Sequence, residues 1–371
     1  MNIYAIVIIV LLLLFLIEQV VKEDKIRQNL FYIGGFVCLF ILAFRSNDVG
    51  GDTYNYTGYF IGKARGYYST YELNDDFEIG FRWICGLLMK ISRTELWFLV
   101  STSIITLAPF LYLINRDCKT SKILPLILYM SGWSILSVTQ TAIRQNVAIS
   151  FLMLAYIIYT EPNIKNKYKW IIVVASIAMC LITHNTGITA LVLVLGAYFI
   201  KLNKKASYTI VVASLIISVL MKNVFVSLFD AFYNLMSTVE FAEKMTGYYD
   251  NAKYSLDTYV SFGTQGPYTL LVLLYIYMSS KEDCKSLHYK CLIWGEALYN
   301  VGAHFPMMFR VVYPLLFIGI IFVPSNLNIR KSFIPKSILF ALLVFLTIAV
   351  NHIPLYQDDH LLPYNFIWQE K

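Results

Sequence analysis

The sequence predicts an all-α polytopic membrane protein, and three observations carry that reading. The 371 residues are 58% hydrophobic, with a mean hydropathy of +0.61. Only 14% are charged, against about 25% in an ordinary soluble protein. The apolar residues run continuously rather than in alternation, which argues for helices and against a β-barrel. A single soluble core of this size cannot hide so much apolar surface. A soluble enzyme, a secreted disulfide scaffold and a disordered regulator are all disfavoured.

The runs fall at 3–21, 30–44, 95–115, 123–138, 143–160, 168–183, 186–200, 206–221, 266–280, 291–304, 309–323 and 337–350. They predict about twelve transmembrane helices, within a range of roughly ten to thirteen, because several fall short of the ~20 residues that cross a bilayer. The first run lacks a basic leader and a small-residue cleavage site, so it reads as a span and not as a signal peptide. The chain is expected to form a single integral membrane domain over 1–371 with two larger outer loops, 45–94 and 222–265. Phe77–Ile91 is apolar but carries Glu78, Arg82 and Lys90. It reads as an amphipathic or re-entrant helix on the outer face. No internal repeat at a fixed period is present.

Charge sets the orientation. Alternate loops carry Lys22, Lys25, Arg27; Arg116, Lys119, Lys122; Lys165, Lys167, Lys169; Lys201, Lys204, Lys205; Lys281, Lys285, Lys290; and Arg330, Lys331, Lys336. Those eighteen cations meet six acids, Glu23, Asp24, Asp117, Glu161, Glu282 and Asp283, which leaves +12 on that side and −5 for the rest. The positive-inside rule places these loops in the cytoplasm and both termini outside. The net +7 is thereby explained without a nucleic-acid partner. The six Cys form no CxxC pair and suit small apolar filling.

Ionisable residues near the membrane invite a functional question. Arg45, Arg144 and Arg310 all fall at outer ends of spans, as do His184 and His304. Asp48, Asp52 and Glu78 lie in the first outer loop. Three guanidiniums at one depth suit a phosphate-rich ligand; arginines at span ends also snorkel or pair with local acids. Asp52 follows Gly50-Gly51 and can accept a proton from a sugar hydroxyl, orient Arg45, or mark a solvated turn. Unperturbed histidine side chains titrate near neutrality, and His184 suits either a base or a structural hydrogen bond. Glu18 and Glu296 fall inside apolar runs, where burial in a protonated or paired form competes with proton coupling. Outer-loop tyrosines such as Tyr54, Tyr56, Tyr59 and Tyr248 fit sugar rings as well as they fit the bilayer interface. No HExxH, GxSxG or nucleotide-binding motif occurs, and no metal-ligand set or cofactor is called for.

Four places resemble the EpsG/Wzy-like family of bacterial polysaccharide polymerases. They are Arg45 with Gly51-Asp52-Thr53-Tyr54, Tyr56 and Tyr59-Phe60; Glu78-Ile79-Gly80-Phe81; Ala142-Ile143-Arg144-Gln145 with Ala148; and His184. Arg310 and Tyr313 fit a looser region near the end. Asn185-Thr186-Gly187 departs from the family's His-x-Ser-Ala-like pattern. The resemblance implies a helical fold similar to lipid-dependent membrane glycosyltransferases, in the bacterial inner membrane, with the active face periplasmic. It implies glycosyl transfer from an undecaprenyl-diphosphate-linked chain to a sugar hydroxyl of another unit. Arg45, Arg144, Gln145, Arg310, Tyr54 and Tyr313 would bind diphosphate and sugar, and the base would be Asp52, His184 or Glu78. No cofactor is implied. The expected partners are lipid-linked oligosaccharide, membrane lipids and a chain-length regulator protein. A flippase for the same lipid remains an alternative, as do a lipid-linked glycan ligase or acyltransferase and a noncatalytic export scaffold. A flippase would show polar residues through the membrane depth and repeated halves.

Overall fold

In a computed structural model, residues 2–65, 77–220, 224, 227, 262–302, 308–327, 333–352 and 361–369 are described. Among them the α-helices, in chain order, are α1 (Ile3–Val20), α2 (Asp24–Ala43), α3 (Thr53–Arg65), α4 (Ile79–Met89), α5 (Glu95–Asp117), α6 (Leu124–Ser131), α7 (Trp133–Thr141), α8 (Ile143–Thr160), α9 (Asn166–Thr183), α10 (Thr186–Phe199), α11 (Lys204–Leu220), α12 (Phe262–Met278), α13 (Leu287–Gly302), α14 (Met308–Gly319) and α15 (Phe333–His352). Among the described residues no sheet forms, and one isolated bridge joins Arg45 to Phe366. The protein is an all-α polytopic membrane protein. Helices α1, α2, α5, α8 and α9 are each long and apolar enough to cross a membrane.

Local chemistry explains the helix ends. The Asn2 side chain accepts from Ala5 N at 2.9 Å and starts α1. Thr94 does the same for α5 through Trp97 N, with Glu95 in the first turn and Arg116 in the last, as the helix dipole favours. Hydroxyls inside the apolar helices bond back to their own carbonyls: Thr102 to Phe98 O at 2.8 Å and Ser150 to Asn146 O at 2.8 Å. Water cannot solvate polar groups at that depth, so they are satisfied internally.

Two features differ from the sequence expectation. The run 123–138 is not one span. It breaks at Gly132 into α6 and α7, and α7 continues to Thr141. The segment 45–94, expected as an outer loop, also holds a second helix, α3, ahead of the expected amphipathic one. Its buried Tyr56, Tyr59 and Phe60 recur at helical spacing and pack with Phe81, Ile84, Phe98, Ile143 and Val147. The amphipathic helix itself is α4. Its 11 residues span about 16 Å, too short for a ~30 Å hydrocarbon core. Of the second outer loop, 222–265, nearly all lies outside the described residues.

The chain divides into two compact units, Met1–Leu193 with Val344–Lys371, and Val194–Leu343. In the first, residues 361–369 return to the end of α2. Ser46 N donates to Asn365 O at 2.8 Å, Ile367 N donates to Phe44 O at 3.0 Å, and Phe366 stacks on Trp368. In the second, Thr269 on α12 donates to buried Glu296 on α13 at 2.6 Å, and Asn300 Nδ2 donates to Ser214 Oγ at 3.2 Å.

Candidate functional site

The site grows from a break between two helices. At Ala142 the backbone leaves the helical region (φ −101°, ψ 62°), ending α7 and starting α8. A break inside an apolar bundle frees carbonyls that need new donors. Buried Asn146 supplies one group of them, its Nδ2 donating to Val138 O, Thr139 O and Ala142 O at 2.8–3.1 Å. The Gln140 carbonyl is met from another part of the chain: Arg45 Nη2 donates to it at 3.3 Å and Thr53 Oγ1 at 3.0 Å. Gly50 allows that approach. Its φ is +94°, and a Cβ there would lie 2.6 Å from Gln140 O. The sequence places with Arg45, Gly50 and Thr53 thus converge on the place that ends in Arg144.

Arg45 is fully buried. Its Nη1 donates to Leu42 O in addition to the bond with Gln140. It lines a cavity of about 10 Å³ with Thr102, Thr106 and Thr139, room for about one water. Asp52 is half-buried at the start of α3, its carbonyl accepting from Tyr56 N at 3.2 Å. Tyr54 is exposed.

Arg144 starts α8 and faces differently. Its Nη1 donates to Glu78 Oε2 at 2.5 Å. Its guanidinium lies 4.4 Å from the Phe77 ring centroid and 5.4 Å from that of Tyr56, close enough for cation–π attraction. Glu78 is the N-cap residue of α4, yet its side chain does not cap that helix. It turns instead to α8 and α9. Its second oxygen, Oε1, lies 2.8 Å from His184 Nδ1 and accepts from Asn185 N at 3.3 Å. Burial pushes the Glu78 carboxyl up. The hydrogen bond from His184, a backbone N–H, and the Arg144 and His184 charges outweigh burial and hold it down to about 2. The ionised carboxylate only accepts, so the proton between the two groups sits on His184 Nδ1. All three side chains retain some exposure, 14–20%.

Two glycines make this meeting possible. A Cβ on Gly80 would lie 2.8 Å from the Ile182 backbone, so only glycine lets the start of α4 press on the end of α9. A Cβ on Gly187 would lie 2.5 Å from Cys180 O, in the tight turn where Gly187 N donates to His184 O at 2.8 Å. The departure at Asn185-Thr186-Gly187 therefore builds a close turn that holds His184 extended at the end of α9.

Of the residues selected from sequence, Glu78, Arg144 and His184 come into direct contact. Gln145 is buried beside them on α8. Arg310 and Tyr313 belong to the second unit, where Arg310 lies 6.0 Å from the Phe309 ring and buried Tyr313 stacks on Phe317. His304 lies outside the described residues. The sequence reading missed Phe77, whose ring underlies Arg144; an aromatic directly before a charged cap residue was the available signal. Among the described residues no group of three or more His, Cys, Asp or Glu side chains gathers to hold a metal.

The sequence pattern of the EpsG family matches residues 28–366, nearly the whole chain. No curated protein and no solved structure matches it.

Proposed function

The chain belongs to the EpsG family, whose membership supports a polysaccharide-polymerase-like role, and we propose that it joins lipid-linked oligosaccharide repeat units at the outer face of the bacterial inner membrane. The observation that carries this reading is the Arg144–Glu78–His184 constellation, with contacts of 2.5 and 2.8 Å. It unites a phosphate-seeking cation with an oriented base at the outer ends of helices.

In this mechanism an acceptor sugar hydroxyl forms a bond to the anomeric carbon of a chain carried on undecaprenyl diphosphate. The bond from that carbon to the diphosphate oxygen breaks. His184 Nε2 takes the hydroxyl proton, and Glu78 fixes the tautomer and stabilises the imidazolium. A carboxyl held near 2 is too weak a base to take the proton itself, so Glu78 orients and His184 abstracts. Arg144 stabilises the charge of the departing diphosphate. The donor arrives activated, so no nucleotide is consumed. The deep burial of Arg45 favours a structural role for it over contact with the diphosphate.

Purified protein in lipid, supplied with an undecaprenyl-diphosphate-linked repeat unit, is expected to build a ladder of lengthening glycans. Normal ladders from correctly folded Arg144→Ala and His184→Ala would reject the assignment. A cysteine placed next to Asp52 should react with an impermeant thiol reagent from the outer side; reaction only from the cytoplasm would reject the orientation.

A further inference from the structure

At the opposite end of α2 from Arg45, the α1–α2 and α5–α6 turns enclose a cavity of about 300 Å³. Arg27, Arg116, Lys119 and Lys122 line it, against Glu18 and Asp24. The acids do not neutralise these cations evenly. Arg116 is held by Asp117 through two bonds of 2.6 and 3.0 Å. Glu18 is buried and committed elsewhere, accepting from Ser121 Oγ at 2.5 Å and from Lys122 N at 2.8 Å. Arg27, Lys119 and Lys122 make no ion pair among the described residues.

The remaining donors are short of acceptors. Arg27 Nη2 donates to the Thr120 carbonyl at 2.7 Å, but its buried Nε has no acceptor among the described residues. Gln28 gives its oxygen to Lys122 Nζ at 2.5 Å, and its buried Nε2 also lacks an acceptor. Among the described residues Lys122 Nζ also bonds the neutral Asn115 Oδ1, at 2.6 Å. Burial first, and the Arg27 charge next, hold its ammonium below the ordinary lysine range. Buried donors without acceptors cost free energy. Two such donors beside three cations that make no ion pair among the described residues describe a pocket that is short of anionic oxygen.

We propose that this cavity is a binding site for a phosphate-bearing anion, held by Arg27, Gln28, Lys119 and Lys122, on the face that the positive-inside rule assigns to the cytoplasm. Phosphate matches the chemistry: its several acceptor oxygens can take Arg27 Nε, Gln28 Nε2 and the lysine ammoniums together. Basic pockets between helices on this side also receive anionic lipid headgroups. The two sources, headgroup and soluble phosphate, share that chemistry. The site is separate from the constellation at Glu78 and does not rest on the function proposed for it.

The test uses the purified full-length protein. Native mass spectrometry would count retained phosphatidylglycerol against phosphatidylcholine, and inorganic phosphate would be titrated in separate samples by thermal shift. The wild type is expected to show saturable binding in at least one arm, with affinity reduced tenfold or more in Arg27→Gln and Lys122→Gln. Retention of phosphatidylglycerol alone assigns a headgroup, a phosphate response alone assigns a soluble anion, and competition between them assigns both. If Arg27→Gln does not fold, exposed Lys119→Gln reads the same site with an expected loss of about threefold. Lys165→Gln, in another basic loop outside the cavity, should bind as the wild type does. Equal binding by wild type and cavity variants, or the same loss in Lys165→Gln, would overturn the proposal.

Discussion

Arg45 and Arg144 look alike in sequence, each an arginine at the end of an apolar run, yet the fold uses them differently. Arg45 is 2% exposed, and its N–H groups go to the Leu42 and Gln140 carbonyls. Arg144 keeps 19% side-chain exposure, pairs with an ionised carboxylate, and shares that carboxylate with His184. One arginine repairs the main chain where α7 gives way to α8. The other stands at the mouth of that same break, joined to groups that can move a proton. The donors of one cation serve the backbone, whereas the partner of the other is itself coupled to a titratable ring, and the proposed mechanism uses only the second.

The strongest way to break the comparison is to remove the coupled set. Arg144→Ala and His184→Ala are each expected to slow glycan elongation by about a hundredfold or more, the scale of a lost charge stabiliser or general base. Thermal unfolding should stay within a few degrees of wild type. Arg144→Lys keeps the charge but loses the planar fork that matches phosphate, so it should recover only part of the rate. Normal elongation in His184→Ala, measured on folded protein, would remove the base from the mechanism.

Arg45→Ala should act on the other axis. Deleting a buried group that donates to two carbonyls leaves a cavity and strips the Leu42 carbonyl of its side-chain donor, while Thr53 still reaches Gln140 O, at a cost of about 3 kcal/mol. The expected result is a clear drop in unfolding temperature in detergent, with elongation per folded molecule within about threefold of wild type. An Arg45→Ala protein as stable as wild type but inactive would place Arg45 in the site and erase the distinction.

Much of this architecture is legible in the amino-acid sequence. Apolar runs mark α1, α5, α8 and α9 nearly to the residue, because a membrane span must satisfy its own backbone over a fixed length. The short places carrying Glu78, Arg144 and His184 name three side chains that the fold brings into contact. Their pairing is not legible: a contact between residues 78 and 184 depends on how closely α4 meets α9, which Gly80 decides. The burial of Arg45 is hidden for a related reason, since its partner is a carbonyl, and every residue has one. Helix α3 escapes notice although Tyr56, Tyr59 and Phe60 are helically spaced. Polar residues and Gly58 between them dilute the apolar signal that marks the longer helices.

Gly80 gives a finer test of the same distinction. Gly80→Ala would set a Cβ 2.8 Å from the Ile182 backbone, and backbone cannot rotate aside as a side chain can. The start of α4 must shift away from α9, taking Glu78 with it. We expect a loss of about 1–2 kcal/mol in stability together with a roughly tenfold slower elongation, because small displacements of positioned groups cost rate. Gly58→Ala is the control. A Cβ there meets nothing within 4 Å, and the variant should match wild type in both measurements. A Gly80→Ala protein with full activity would show that the reach of Glu78 to His184 does not depend on this close approach.

Between pH 7 and pH 4 the smallest expected effect is that of pH on the Glu78 hub. Its carboxyl is held down to about 2 from the ordinary 4.5, so ionised Glu78 stabilises the fold, and that contribution is complete above about pH 5. As the pH falls, the unfolded chain takes up the proton first, and the contribution drains away between the two values. Between pH 7 and pH 4 the loss should stay under about 1 kcal/mol, and most of it should follow between pH 4 and pH 2. Unfolding temperatures of wild type and Glu78→Gln across this range would isolate the effect: the difference between them should be largest at neutral pH and shrink towards pH 2. The same subtraction with Arg45→Ala should give a difference that stays constant with pH, since the Arg45 partners are carbonyls that do not titrate. A constant difference for Glu78→Gln as well would mean that its carboxylate is not held by Arg144 and His184 in solution, and the contrast between the two arginines would lose its electrostatic basis.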